Sequence, residues 1–291
     1  MKSVVACISF LLYAINTLVW TVPILILALV KLIPIGLLQK ATSYLLDGCA
    51  SCWVKVNTVN QNLLSPLQID IVDLPELSNA QWYIVISNHQ SWVDIFVLQR
   101  LFSGKIPFLK FFLKQQLIFV PVIGLAWWAL DFPFMKRYSR EFLAKNPQLK
   151  GKDIAATRRA CQKFKYNPVS VMNFVEGTRY SATKHQHQQS NFDNLLLPRA
   201  GGLSFAINAM ADSIDTLLDV TIVYPRGIPS FWMLLRGDVK RVKVSISEVS
   251  ISQEQIGDYQ DNPEFKVQFQ QWLNELWQRK EQRIKQLTVD D

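Results

Sequence analysis

From Ser3 to Val30 the chain carries no charged residue, and Leu, Ile, Val, Ala, Phe and Trp dominate those 28 positions. This run is well past the roughly 18 apolar residues that suggest bilayer insertion. As one straight helix, residues 4–30 would extend about 40 Å, against a hydrocarbon core of roughly 30 Å. The segment must therefore tilt or break. Asn16, Thr17 and Thr21, followed by Pro23, are the expected breaking points, and Leu32 to Leu38 continue the apolar run beyond Lys31. A two-helix hairpin dipping into one leaflet fits as well as one tilted span. A cleaved leader fits less well, because the apolar run is too long and no small-x-small site follows it. Residues 1–60 are read as a membrane anchor with its connector, and residues 61–291 as one further domain. Lys31, Lys40 and Lys55 follow the segment and only Lys2 precedes it, which puts the main domain on the cytoplasmic side. In a bacterium that means the inner membrane.

Charge narrows the partners. Residues 104–166 hold 13 basic and 3 acidic side chains, more than the whole excess of +8, so this segment needs an anionic neighbourhood. Phe108, Phe111, Phe112, Leu117, Phe119, Trp127 and Trp128 are interleaved there with Lys105, Lys110 and Lys114. Basic residues among aromatics behind a membrane anchor suit a phospholipid headgroup interface rather than nucleic acid. For Leu117–Leu130 a buried helix hairpin is the competing reading. Phe231, Trp232 and Met233 beside Arg236 form a smaller candidate of the same kind. The four cysteines are too few and too scattered to staple a domain of this size.

Strand-like runs occur at 68–72, 82–87, 169–174, 218–224 and 241–249, with helical patterns between them, notably 152–165 and the run through Phe265, Phe269, Trp272, Leu276, Trp277 and Ile284. Such alternation favours a sheet covered by helices on both faces. In 241–249, Val242, Val244 and Ile246 alternate with Lys243, Ser245 and Ser247, the pattern of a half-exposed edge strand.

Three turns carry polar chemistry. Directly after the second strand pattern comes Asn88-His89-Gln90-Ser91-Trp92-Val93-Asp94. His89 and Asp94, five residues apart, would not share a helix face. With His89 in the turn and Asp94 in the first turn of the next helix, the carboxylate can reach back to one ring nitrogen and leave the other as a base. The plain alternative is a capping box, Ser91 to Asp94, serving only the helix N-terminus. The second turn, Phe174-Val175-Glu176-Gly177-Thr178-Arg179, again follows a strand and offers a glycine, a hydroxyl and a planar donor fork suited to phosphate. Its plain reading is a surface turn with Glu176 and Arg179 paired. The third, Phe134-Met135-Lys136-Arg137, ends a short strand pattern in two cations. Gly202-Leu203-Ser204 approximates a nucleophile elbow, but no histidine follows it, as the α/β-hydrolase order requires.

Taken together, these turns resemble the glycerolipid acyltransferases of the 1-acylglycerol-3-phosphate acyltransferase (PlsC-like) type. Asn88, His89 and Asp94 match the family's Asn-His-x-x-x-x-Asp motif. Phe174, Glu176, Gly177, Thr178 and Arg179 match Phe-Pro-Glu-Gly-Thr-Arg, and Phe134 to Arg137 resemble the motif between them. The likeness runs in order from about residue 80 to 225. Val175 replaces the usual Pro, Asp131 stands where a Gly often opens the second motif, and Val220–Val223 lack the Pro common in the fourth. The insertion from Tyr180 to Pro198 is similar to that of the longer branch.

The resemblance implies the glycerolipid acyltransferase fold, an α/β mixed sheet with helices on both faces, behind a membrane-embedded N-terminal segment. It implies transfer of a fatty acyl group from acyl-CoA or acyl carrier protein to the free hydroxyl of a lysophospholipid, foremost 1-acylglycerol-3-phosphate to give phosphatidic acid. His89 would be the general base with Asp94 behind it, and Asn88 would support the motif. Glu176, Gly177, Thr178, Arg179, Lys136 and Arg137 would form the acceptor's phosphate site. No metal and no cofactor beyond the thioester co-substrate is expected. The alternatives are a remodelling acyltransferase for another lysophospholipid, or a non-enzymatic membrane-surface lipid-binding protein.

Overall fold

The five strand patterns all form, and they fall in one sheet. The structure, a computed structural model, describes residues 2–135, 164 and 167–289. Its strands are β1 (Gln68–Asp73), β2 (Tyr83–Ser87), β3 (Leu109–Phe111), β4 (Leu113–Lys114), β5 (Phe134–Met135), β6 (Ser170–Asn173), β7 (Thr216–Val223) and β8 (Arg241–Ser250). Six of them build the main sheet in the order β1-β8-β7-β2-β6-β3, while β4 and β5 make a separate parallel pair. Only the β7–β8 pairing is antiparallel in the main sheet. The C-terminal ends of β2, β6 and β7 therefore open on the same edge, the edge where α/β sheets carry their ligands.

Each strand of this central group is buried on both sides because each side has a cover. Tyr83 and Val85 of β2 join a core with the first helices, α1 (Lys2–Lys31), α2 (Gly36–Leu64), α3 (Val93–Phe102) and α4 (Ile123–Ala129). Ile84 and Ile86 face the other way, into a core built with α6 (Ala200–Ala209) and α8 (Pro263–Val289). Two short helices, α5 (Ala182–Gln188) and α7 (Phe231–Leu235), lie on the loops that follow β6 and β7.

The expected edge strand is not at an edge. β8 lies between β1 and β7, and Lys243 and Ser245 on its polar side are buried. The C-terminal helix covers that side and meets Lys243, whose Nζ donates to Leu287 O at 2.9 Å, while Ser245 Oγ donates to Asp73 Oδ2 at 2.8 Å. Polar alternation here encodes satisfied burial, not solvent. The edges are β1 and β3.

α1 does not break at Pro23, which sits inside a continuous helix. The chain turns only at residues 32–35, and α2 runs back along α1. Asn16 and Thr17 link the two helices instead. Asn16 Nδ2 donates to Asn57 Oδ1 (2.8 Å) and Trp53 O (3.0 Å), Trp53 Nε1 donates to Thr17 Oγ1 (3.1 Å), and Asn60 Nδ2 donates to Ser9 O (3.1 Å). Such bonds hold helices together where lipid removes the hydrophobic drive. α1 is long and apolar enough to cross a membrane. Its inner face is nonetheless continuous with the sheet's core through Ile24 and Ala28. Ion pairs Lys31–Asp131 and Lys110–Asp47 (3.1 Å) add two further ties between hairpin and domain.

Residues 115–130 are neither a helix hairpin nor a flat surface. A 3-10 turn at Gln115–Phe119 leads into α4, and Gly124 lies so close to the Ile118 carbonyl that a Cβ would stand 2.3 Å from its oxygen. Ala126, Ala129 and Leu130 pack inward, while Phe119, Leu125 and Trp128 stay exposed, as do Trp232 and Met233 of α7. The helical pattern expected at 152–165 lies, apart from Phe164, outside the described residues.

Candidate active site

Residues Asn88 to Asp94 run from the end of β2 into the first turn of α3 and are tied down on every side. Asn88 extends the sheet with its side chain: Nδ2 donates to Ile222 O (2.8 Å), and Oδ1 accepts from Ile222 N (2.9 Å), so the turn is stitched to β7. Ser91 Oγ donates to Pro229 O at 2.5 Å. Asp94 is fully buried, and its Oδ2 accepts from His89 Nδ1 (2.9 Å), Gln90 N (2.7 Å) and Ser91 N (2.8 Å). Its other oxygen accepts from Tyr224 Oη at 2.7 Å. The same carboxylate therefore fixes the backbone of the turn, through Gln90 N and Ser91 N, and the orientation of the histidine.

An ionised carboxylate only accepts, so this contact assigns the imidazole proton to Nδ1. Nε2 then carries a lone pair, and it has no hydrogen bond to any described residue. The ring lies flat against Phe174, with centroids 3.8 Å apart and planes 13° apart. Burial, joined by the Asp94 charge, pushes the Tyr224 hydroxyl well above its ordinary range, so it stays a neutral donor.

The turn after β6 meets this one. Gly177 takes φ +73°, a left-handed conformation open to glycine without strain, and its N–H closes on Phe174 O at 2.9 Å. Glu176 is buried, not paired with Arg179 on the surface. Its Oε1 accepts from His89 N (2.9 Å) and its Oε2 from Leu196 N (3.1 Å), so the carboxylate bridges the two turns from within. Burial pushes its carboxyl up to about 8, against the pull of those two N–H groups and of Lys280. Tyr180 N donates to His89 O at 2.7 Å, a second link.

Arg179 reaches the first turn from outside. Its guanidinium lies over the half-exposed Trp92 ring, 4.8 Å from the centroid, a contact that holds the fork without using its donors. Thr178 Oγ1 accepts from Lys184 Nζ (2.7 Å), which also donates to Arg179 O (3.0 Å). Asn88, His89, Asp94, Glu176, Gly177, Thr178 and Arg179 are therefore brought together. Lys136 and Arg137 lie outside the described residues. Ser204 of the elbow-like sequence is buried within α6, on a helix and not a strand-to-helix turn.

Sequence reasoning missed Tyr224, Trp92, Lys184 and Leu196 as parts of this site. Tyr224 carried a weak signal, since it closes the β7 pattern and parallel strands end together. Leu196 takes part through its backbone alone, which no residue type announces.

Fold and site define an α/β protein with a histidine–carboxylate pair open at one nitrogen, beside a cationic fork. A family model described as Acyltransferase matches residues 68–225, more than half of the chain, and the chain belongs to that family. Among curated proteins it is similar to the probable 1-acyl-sn-glycerol-3-phosphate acyltransferase 5 of Arabidopsis thaliana, 27% identical over 215 residues that cover 69% of this chain and 52% of the relative. It is also similar to the mouse 1-acyl-sn-glycerol-3-phosphate acyltransferase gamma, 26% identical over 212 residues, 68% of this chain and 51% of the relative. The chain spans about half the length of these relatives. A crystal structure of the 1-acyl-sn-glycerophosphate (LPA) acyltransferase PlsC of Thermotoga maritima aligns with 95% of this chain and 98% of its own, at 17% identity and a TM-score of 0.46.

Proposed function

We propose that this protein transfers a fatty acyl group from a thioester, acyl-CoA or acyl carrier protein, to the free hydroxyl of a lysophospholipid. The acceptor proposed is 1-acylglycerol-3-phosphate and the product phosphatidic acid. The observation that carries this reading is the His89–Asp94 pair, oriented through Nδ1 with Nε2 open. The hydroxyl oxygen attacks the thioester carbonyl carbon as its proton passes to Nε2, and Asp94 stabilises the imidazolium that forms. The C–S bond then breaks, and the imidazolium returns the proton to the departing thiolate, leaving an ester, a free thiol and neutral His89.

Arg179, held over Trp92 with its donors unspent on any described carboxylate, is the proposed ligand of the acceptor phosphate. Thr178 and Gly177 shape that turn, and Lys136 and Arg137 add positive charge. Glu176 acts from behind, through the backbone of His89. Residues 1–60 serve as the membrane anchor, the domain 61–291 lies on the cytoplasmic face, and phospholipid is the surface on which the acceptor arrives.

Free-thiol release by the detergent-solubilised protein tests this, with acyl-CoA or acyl carrier protein as donor, with and without lysophosphatidic acid. Acceptor-dependent release is expected, and His89→Ala loses at least about 10³-fold while keeping its melting temperature. Silence with both donors, or near-normal turnover in the variant, overturns the proposal.

A further inference from the structure

The turn that carries Arg179 holds another cation, supplied by the helix that follows it. Lys184 lies in the first turn of α5, and its Nζ reaches back to donate to Thr178 Oγ1 (2.7 Å) and Arg179 O (3.0 Å). The helix that carries it is held at both ends. Ser181 caps it, its Oγ accepting from Lys184 N (3.3 Å), while Gln188 Oε1 accepts from Leu197 N (3.1 Å) and His185 Nε2 meets Phe192 O at 2.5 Å. No carboxylate pairs with this ammonium among the described residues. Residues 180–192 include no Asp or Glu. Asp193, the next acid along the chain, lies 2.6 Å from Lys285 Nζ, and Glu176, the nearest before it, is turned inward to His89 N and Leu196 N.

The way these bonds are made leaves donors over. Thr178 accepts from the lysine, so its own proton points elsewhere, and no described residue accepts it. An ammonium has three N–H groups, and Lys184 spends two. The Arg179 fork, stacked on Trp92, spends none on a described residue. One short turn therefore offers a hydroxyl, an ammonium and a guanidinium, all donors, with two positive charges: the donor set of an oxyanion. Tyr180 N, in the same segment, donates to His89 O (2.7 Å), so this cluster adjoins the base. In a 1-acylglycerol phosphate the free hydroxyl and the phosphate sit on neighbouring carbons, and an anion held here keeps that hydroxyl near His89. A phosphomonoester carries a charge of about −1.5 to −2 at pH 7, whereas a phosphodiester carries a single negative charge. We propose that Lys184 is a phosphate ligand of the acceptor site, its charge beside that of Arg179 making the site prefer a phosphomonoester to a phosphodiester. This rests on the acyl transfer proposed above and narrows its acceptor to lysophospholipids with a terminal phosphate.

The test compares wild type, Lys184→Gln and Lys184→Arg on two acceptors, lysophosphatidic acid and its phosphate methyl ester. Lys184→Gln keeps a neutral donor and loses the charge. It should raise KM for lysophosphatidic acid about tenfold and for the methyl ester about threefold or less, with kcat within about twofold and the melting temperature unchanged. Lys184→Arg keeps the charge and should restore the preference for the monoester to within about threefold of wild type. The Kd for lysophosphatidic acid, measured without a thioester donor, should rise in Lys184→Gln as the KM does. Equal KM increases for both acceptors, a loss in kcat alone, or a Lys184→Arg protein no better than Lys184→Gln would make the lysine a tether of α5 and overturn the inference. Unaltered constants overturn it too. Wild-type protein that releases no thiol with either donor sinks the acyl transfer itself, and the Kd comparison then still decides whether Lys184 binds the phosphate.

Discussion

The hairpin and the candidate site both bury polar side chains, but they use them differently. In the hairpin Asn16, Asn57, Asn60 and Trp53 turn toward the facing helix, and their bonds set how the helices align. In the site Asn88, Asp94 and Glu176 bond to backbone or to a neighbour, and that leaves His89 Nε2 and the Arg179 fork open. A network spent between two helices stabilises an arrangement; one that holds open a lone pair and a donor fork prepares a reaction. Substitutions should therefore separate the two regions, the hairpin through stability and the site through turnover.

The largest separation is expected at Asp94. Asp94→Asn should cost about 10³-fold or more in kcat, because an amide at this position favours the wrong imidazole tautomer. It should also lower the melting temperature, since four donors meet that one carboxylate. A variant that melts early but turns over normally would make the site resemble the hairpin. Next comes Arg179→Lys, for which kcat/KM with a phosphate-bearing acceptor should fall about 10- to 100-fold while melting stays put, because an ammonium has no planar fork to stack on Trp92. An equal loss with an acceptor lacking the phosphomonoester would remove Arg179 from phosphate recognition.

Glu176 belongs to both descriptions and should show it through pH. Its folded carboxyl, near 8, sits above the ordinary 4.5, so the folded protein holds the proton more tightly than the unfolded chain. That contribution is fully present below about pH 4.5 and is lost as pH rises toward 8, with a slope of at most about 1.4 kcal/mol per pH unit. Wild-type protein in detergent should melt lower as pH is raised from 5 to 8, and Glu176→Gln should flatten that slope. The smallest effect is expected in the hairpin. Asn16→Leu should destabilise by about 1–2 kcal/mol and leave kcat within twofold; a large kcat loss there would mean that hairpin alignment reaches the site.

Most of the site was legible because its parts are local. A buried-strand pattern followed at once by polar residues marks a strand end, and His89 and Asp94 are close enough in sequence for turn geometry to bring them together. Gly177 announces a backbone conformation by residue type. The apolar stripe of the last helix was legible too, with Lys280 standing within it three residues after Trp277 and four before Ile284. What could not be read was what that face would meet.

The apolar run, the strand and helix periods and the three polar turns were determined by the sequence itself, since each is a property of neighbours along the chain: hydropathy, dihedral preference and side-chain period. Strand order, the burial of β8, the bridge from Trp277 of α8 through Leu196 to Glu176 and the joining of two turns about 87 residues apart were decided only by the tertiary structure. Period and propensity show that a face is apolar or a turn polar. They do not show which distant surface covers it, because that choice is made by the packing of the whole sheet and its helices at once.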